Sequence, residues 1–189
     1  MFTKLELINK VRSTDNKTAL LAIEEMRIRG WLTDGTLRGI ALIRAQFQGA
    51  DLIEADLSFV DFHQAAMEYV DLSNANLNGT KLTRANLIGA NLSETNLTNA
   101  NLYKTNLRGC RNLTVEQLSK VKRLWGAIMP DGESYDGRYN LPADLELAHL
   151  RGVVKDDDQA MAEFYGVSLE IYRNGQKVGF AETPIETLV

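Results

Sequence analysis

From Leu42 to Leu107 every fifth residue is large and apolar: Leu42, Phe47, Leu52, Leu57, Phe62, Met67, Leu72, Leu77, Leu82, Leu87, Leu92, Leu97, Leu102 and Leu107. Neither regular element explains this beat. A helix advances by about 100° per residue, so residues five apart scatter round its axis. A strand alternates faces at each residue, so positions five apart point opposite ways. All of these side chains share one interior only if the chain bends once in every five residues, and regular bending makes a solenoid. Two residues before each large one sits a small or β-branched residue, such as Ala45, Ala50, Val60, Thr80 or Ala90. These also face inward, since alternate residues share a face, and the two sets together fill a narrow bore. The fourteen large residues are therefore the predicted structural core. Asn or Asp stands between the two inward positions at most steps, from Asp51 to Asn106, and can support a turn by bonding local backbone. Ala41, Gln46, Ala66 and Lys81 break that rule. Leu37 and Leu32 continue the register, but their surroundings do not.

The flanking sequence has a different period. "TKLELINKV" places Leu5, Ile8 and Val11 at helical spacing, and "DNKTALLAIEEMRIRG" places Ala19, Ile23 and Met26 on one face. Asp15 is the expected N-cap of this second helix and Gly30 its stop. A stack of coils needs caps, because its end rungs expose unpaired backbone. Residues 1–35 are thus predicted to be a helical N-terminal cap, with Trp31 lying over the first coil. After the repeat, Thr114 and Gln117 form a capping-box pattern that opens a short helix, whose Leu118, Val121 and Trp125 would cover the last coil. Two Asp-Gly turns and short helices near 142–150, 157–165 and 168–174 follow. "VGFAETPIETLV" at the end shows no reliable period and reads as loose.

The stretches "ADLIEADLSF" and "ANLNGTKLTRANLIGANLSETNLTNANL" resemble the pentapeptide repeat family, whose motif is A(D/N)LXX. The resemblance implies a mainly β fold, a right-handed quadrilateral β-helix of about four coils stacked at ~4.8 Å each. On that reading residues 36–110 form the β-helix and residues 111–189 a C-terminal helical cap and extension. A 20-residue coil would stack Arg44, Gln64, Arg84 and Lys104 in one column, Gly49, Tyr69, Gly89 and Gly109 in a second, and Glu54, Asn74 and Glu94 in a third. The tail resembles extensions found on bacterial, especially cyanobacterial, members of the family. Leucine-rich and hexapeptide repeats are disfavoured because their periods do not match the five-residue beat.

Composition adds little. The chain has 189 residues, 44% of them hydrophobic, and a formal net charge of −4. A mildly acidic chain is not expected to bind nucleic acid directly, since phosphate contact needs a basic surface. The lone Cys110 excludes an intrachain disulfide, and it occupies the small inward register as a buried thiol. No long apolar run or apolar leader occurs, so the expectation is a cytoplasmic protein away from the membrane.

Chemistry is sparse. His63 and His149 are the only histidines and lie far apart in sequence. "DGESYDG" lacks the late Glu of a calcium loop, with Tyr135 where a ligand belongs. "KDDDQAM" reads as helix capping by Asp157 or Asp158. No nucleophile elbow, phosphate loop or dinucleotide fingerprint occurs. No catalytic, cofactor-binding or metal residue is predicted, and the chain is not expected to be an enzyme. Two functions remain. One is a structural or interaction module that presents stacked faces to an unidentified protein partner, as a monomer. The other, implied by part of the family, is DNA mimicry toward DNA gyrase or topoisomerase. The repeat's acids, Asp51, Glu54, Asp56, Asp61, Glu68, Asp71 and Glu94, are interleaved with Arg38, Arg44, Lys81, Arg84, Lys104 and Arg108. That mixture favours the interaction module.

Overall fold

The five-residue beat turns the chain through a coil of 20 residues. In the computed structural model, which describes residues 2–178, each coil pairs with the next through single parallel bridges. Four columns of bridges result. One climbs through Ala41, Asp61, Lys81, Asn101 and Arg123, and the next through Gln46, Ala66, Asn86, Asn106 and Ile128. A third joins Asp51, Asp71, Asn91 and Arg111, and the fourth joins Asp56, Asn76 and Asn96. The β character is thus confined to isolated bridges, and among the described residues no extended strand forms. The reason is geometric. Each five-residue side spends four residues on its turn, which leaves one residue free to pair.

Every turn is built alike. The amide of the small residue donates to the carbonyl of the large residue three positions back, as Ala75 N does to Leu72 O at 2.9 Å. The residue before the small one has positive φ, for example Asn74 at 59° and Arg84 at 58°. Positive φ at the third position alone defines a type II turn. The Asn and Asp side chains supply a second lock. Asp71 Oδ1 accepts from Ser73 N at 2.9 Å, and Asn101 Oδ1 accepts from Tyr103 N at 3.0 Å. The same bond recurs at each Asn or Asp of this register from Asp51 to Asn106.

The fourteen large residues are each at most 2% exposed and form one continuous cluster. Leu32 and Leu37 belong to the same cluster, and Asp56 N donates to Leu32 O at 2.8 Å. Threonine replaces alanine in the bore without leaving an orphan hydroxyl. Thr95 and Thr105 donate to Leu72 O and Leu82 O at 2.8 and 2.7 Å.

Two helices close the lower end. α1 (Lys4–Val11) starts with a Thr3–Glu6 capping box, and α2 (Asn16–Ile28) starts on Asp15, whose side chain accepts from Thr18 N. α2 stops where Gly30 turns left-handed at φ 70°, with Trp31 N donating to Met26 O and Gly30 N to Arg27 O. Leu7, Val11, Ile23 and Met26 are buried in the core cluster. Polar side chains meet the open rung: Arg12 donates to Ala41 O at 3.2 Å, Asn16 to Gln48 O at 3.2 Å, and Arg27 to Asp51 O. The backbone carbonyls that a further coil would have bonded therefore find donors on the helices. Trp31 is half-buried beside the core, between Lys4 and Arg29.

At the upper end α3 (Val115–Ser119) interrupts the coil, which then resumes at Arg123 and Ile128 with a spacing of 22 residues. α3 is capped by the Thr114–Gln117 box, and Leu118 enters the core. Beyond it lie α4 (Pro142–Leu150), α5 (Asp158–Tyr165) and α6 (Leu169–Val178). Asp157 caps α5, and Asp158 pairs with Arg173 of α6 at 2.8 Å. Most of the predicted loose end, 179–189, lies outside the described residues. No helix among the described residues is long and apolar enough to cross a membrane.

Candidate interaction surfaces

The left-handed turn position fixes what the outer edges of the coil display. The residue with positive φ recurs every 20 residues on the same edge, so its side chains form columns. Arg44, Gln64, Arg84 and Lys104 share one edge, and Arg44 Nε donates to Gln64 Oε1 at 2.9 Å. Glu54, Asn74 and Glu94 share the edge two turns further along the coil. The charges of this surface are thus sorted by edge, basic on one and acidic on another. Elsewhere acids meet bases directly: Lys81 pairs with Asp61 at 3.5 Å, and Arg27 with Asp51 at 2.5 Å.

Glycine and aromatic residues alternate on the remaining edges, and the alternation has a steric cause. A Cβ on Gly79 would lie 2.7 Å from the Phe59 ring, and one on Gly89 would lie 2.6 Å from the Tyr69 ring. Each ring lies flat over the glycine one coil above. Tyr69 remains 69% exposed and presents an aromatic face, whereas Phe59, 47% exposed, has the Arg38 guanidinium over its ring at 5.2 Å. Exposed aromatics are enriched among the side chains that dominate protein interfaces. Two further apolar residues on the outside of the repeat, Ile53 and Ile88, are half-buried.

Tyr103 meets a different fate. It stacks on Trp125 at 5.3 Å, and Trp125 in turn packs on Phe164 at 5.6 Å and donates its Nε1 hydrogen to Phe164 O at 2.8 Å. Lys104 and Arg151 lie over the Trp125 ring. Trp125 therefore joins the upper coil to α5. The junction also holds Asp144, which no sequence pattern singled out. Fully buried, its Oδ2 accepts from Leu124 N at 2.9 Å, and its Oδ1 lies 3.4 Å from Arg123 Nε. Leu124 N is a rung donor of the last coil, so a carboxylate ends the ladder here as arginine and asparagine end it below. Burial pushes the Asp144 carboxyl up to about 6, against the pull of the Leu124 and Trp125 amides and Arg123.

The histidines, the lone cysteine and the acidic turns do not converge. His63 is half-buried in the repeat and His149 is exposed on α4. Tyr135 is buried, and its hydroxyl accepts from Tyr139 N at 3.1 Å. Asp136 pairs with Arg138 at 2.9 Å. Cys110 is half-buried against the core, not fully buried as expected; it donates to Leu87 O at 3.0 Å, and desolvation pushes its thiol up to about 12. Among the described residues no group of His, Cys, Asp and Glu is placed to hold a metal ion.

Comparison with known proteins accounts for the coil. The family described as pentapeptide repeats matches residues 42–79 and 75–111, in 8 copies. The chain therefore carries pentapeptide repeats across that stretch. Among solved structures it is similar to the pentapeptide repeat protein Rfr23 of the cyanobacterium Cyanothece 51142, with 34% identity over 48% of this chain and 54% of that one, at a TM-score of 0.37. It is also similar to HetL of Nostoc sp. strain PCC 7120, a pentapeptide repeat protein involved in heterocyst differentiation regulation, with 27% identity over 51% of this chain and 58% of that one, at a TM-score of 0.25. A pentapeptide repeat protein of the Arabidopsis thaliana thylakoid lumen shares 25% identity over 69% of this chain and 90% of that one, at a TM-score of 0.27. The chain thus spans little more than half of the first two. None of the curated proteins compared gives a significant match.

Proposed function

We propose that the chain is a non-catalytic structural or interaction module: a monomeric, right-handed quadrilateral β-helix of about four coils whose lateral faces bind a protein partner in the cytoplasm. In this reading residues 1–35 cap the lower end, residues 36–110 form the helix proper, and residues 111–189 close the upper end. One observation carries it. The chain's own groups occupy most of both ends of the ladder, Arg12, Asn16 and Arg27 below and Asp144 above, so the sides and the rung beside α3 are left for contact. Capped ends also disfavour edge-to-edge pairing of copies. On the sides, Tyr69 offers an aromatic face beside sorted charge.

DNA mimicry toward gyrase is the other reading, and the charge arrangement weighs against it. A mimic needs a continuous negative surface. Here Asp51 and Asp61 are already paired with cations, and the column of Arg44, Arg84 and Lys104 would face the same cationic saddle. A supercoiling assay separates the two. The expected result is no inhibition of gyrase at micromolar protein and no binding of duplex DNA at physiological salt. Stoichiometric inhibition that fades as salt rises would overturn the interaction-module reading.

A further inference from the structure

The ladder is broken at one place, and every broken bond faces the same groove. The amide of every large inward residue from Leu42 to Leu107 donates to a main-chain carbonyl one coil on, except Leu97. The amide of every left-handed residue from Arg44 to Gly109 does the same, except Glu94. The carbonyl of every small residue from Ile40 to Thr105 accepts a main-chain amide, except Thr95, which accepts from the side chain of Gln117 at 2.9 Å. The cause is α3, which stands where a pentapeptide side would have run. Among the described residues neither Leu97 N–H nor Glu94 N–H has an acceptor.

Between α3 and this rung lies a groove of about 300 Å³, lined in part by Glu94, Asn96, Thr98, Thr114 and Lys120. That volume is at the small end for a ligand site. An unpaired main-chain amide next to a residue as buried as Leu97 carries a desolvation cost that an incoming acceptor would relieve. The rungs below specify that acceptor. A residue placed as those of the lower coils would accept from Leu97 N with its carbonyl and donate its own amide to Thr95 O, displacing Gln117. A carbonyl three residues earlier would accept from Glu94 N. Leu113 and Leu118 are already buried in the core cluster, so the segment needs no large inward side chain. Lys120 is held by Glu116 at 2.6 Å, whereas Glu94 has no ion pair among the described residues.

We propose that this groove is a β-augmentation site that completes the rung with one short, polar, turn-forming peptide segment of a partner protein, with small inward side chains and a lysine or arginine opposite Glu94. The inference rests on the interaction-module reading and adds where and how a partner engages. Its failure would leave the supercoiling result unaffected.

The test is a titration of the ¹⁵N-labelled full chain with the probe acetyl-Ser-Lys-Ser-Thr-amide, followed by amide shifts and hydrogen exchange. The expected result is saturable downfield movement and slowed exchange at Leu97 and Glu94, with Leu77 and Leu82 unchanged. Glu94→Gly keeps the left-handed backbone and removes the carboxylate, so it should weaken the peptide severalfold while the Leu97 shift persists. No movement at Leu97 and Glu94 at millimolar peptide would overturn the proposal. Equal movement with sodium acetate would overturn it in favour of an anion pocket, and an undiminished affinity of the Glu94→Gly variant would overturn the basic-residue requirement.

Discussion

Replacing Asp144 by Asn isolates the electrostatics of the upper junction. The side chain is fully buried, and its carboxyl titrates near 6 against an ordinary value of 3.8. The folded chain therefore binds this proton more tightly than the unfolded chain does. Stability from this group is complete below about pH 3.8 and falls as pH rises through the window to about 6. A gap of roughly two pH units is worth about 3 kcal/mol, of which about 2 kcal/mol falls between roughly pH 4.5 and 7.5. Asparagine keeps an acceptor for Leu124 N and has no charge to bury. The prediction is that the wild type gives up about 2 kcal/mol more than Asp144→Asn over that range, whatever the other carboxylates contribute to both. Urea titrations read by Trp125 fluorescence measure it, because Trp125 packs on Tyr103 and Phe164 at this junction. Identical pH dependence in the two proteins would refute the reasoning.

In the bore, Leu87→Ala should cost about 3 kcal/mol, because the residue is fully enclosed and a cavity would remain. Thr98→Asp, on a half-buried outward position, should cost under about 1 kcal/mol, and equal melting shifts would contradict the inward assignment. Deleting residues 1–35 strips the donors from Ala41, Gln48 and Asp51 carbonyls, so the remainder should self-associate with concentration in analytical ultracentrifugation. A truncated chain that stays monomeric and equally stable would show that the segment is not a cap. Cys110, half-buried and with its thiol pushed up to about 12, should react slowly with a thiol reagent near neutral pH until the chain unfolds, and labelling of the native protein as fast as of the unfolded chain would refute this protection.

The repeat was legible because its physics is local. A turn that closes within five residues writes its demands into four of its five columns: a large residue, a small one, an Asx side chain that bonds two residues on, and a position tolerant of positive φ. Only the number of sides escaped the spacing, since five-residue turns alone do not say how many make a coil. The bridges between Ala41 and Asp61 and onward give four. Leu32 and Leu37 joined the core although their neighbours lack the motif, because inward burial needs only the large residue. The resumption of the coil at Arg123 was hidden by α3, which inserts two extra residues and shifts the beat. Asp144 was illegible for a different reason. It lies 20 residues from Leu124, whose amide it caps, in a segment with no period. The open amides of Glu94 and Leu97 belong to main chain, so no side-chain pattern announces them.

The central claim is that a partner binds the sides of the coil. Affinity capture from the native host, with partner stoichiometry read by quantitative mass spectrometry, tests it most directly when the full chain is compared with Tyr69→Arg and Asp144→Asn. Tyr69 is exposed on an edge and Asp144 buried at the end, so the first alters the proposed surface and the second does not. The account predicts a protein retained by the wild type and by Asp144→Asn and lost from Tyr69→Arg. Retention by Tyr69→Arg together with loss from Asp144→Asn would place the partner on the α4 junction instead of the coil and contradict the claim.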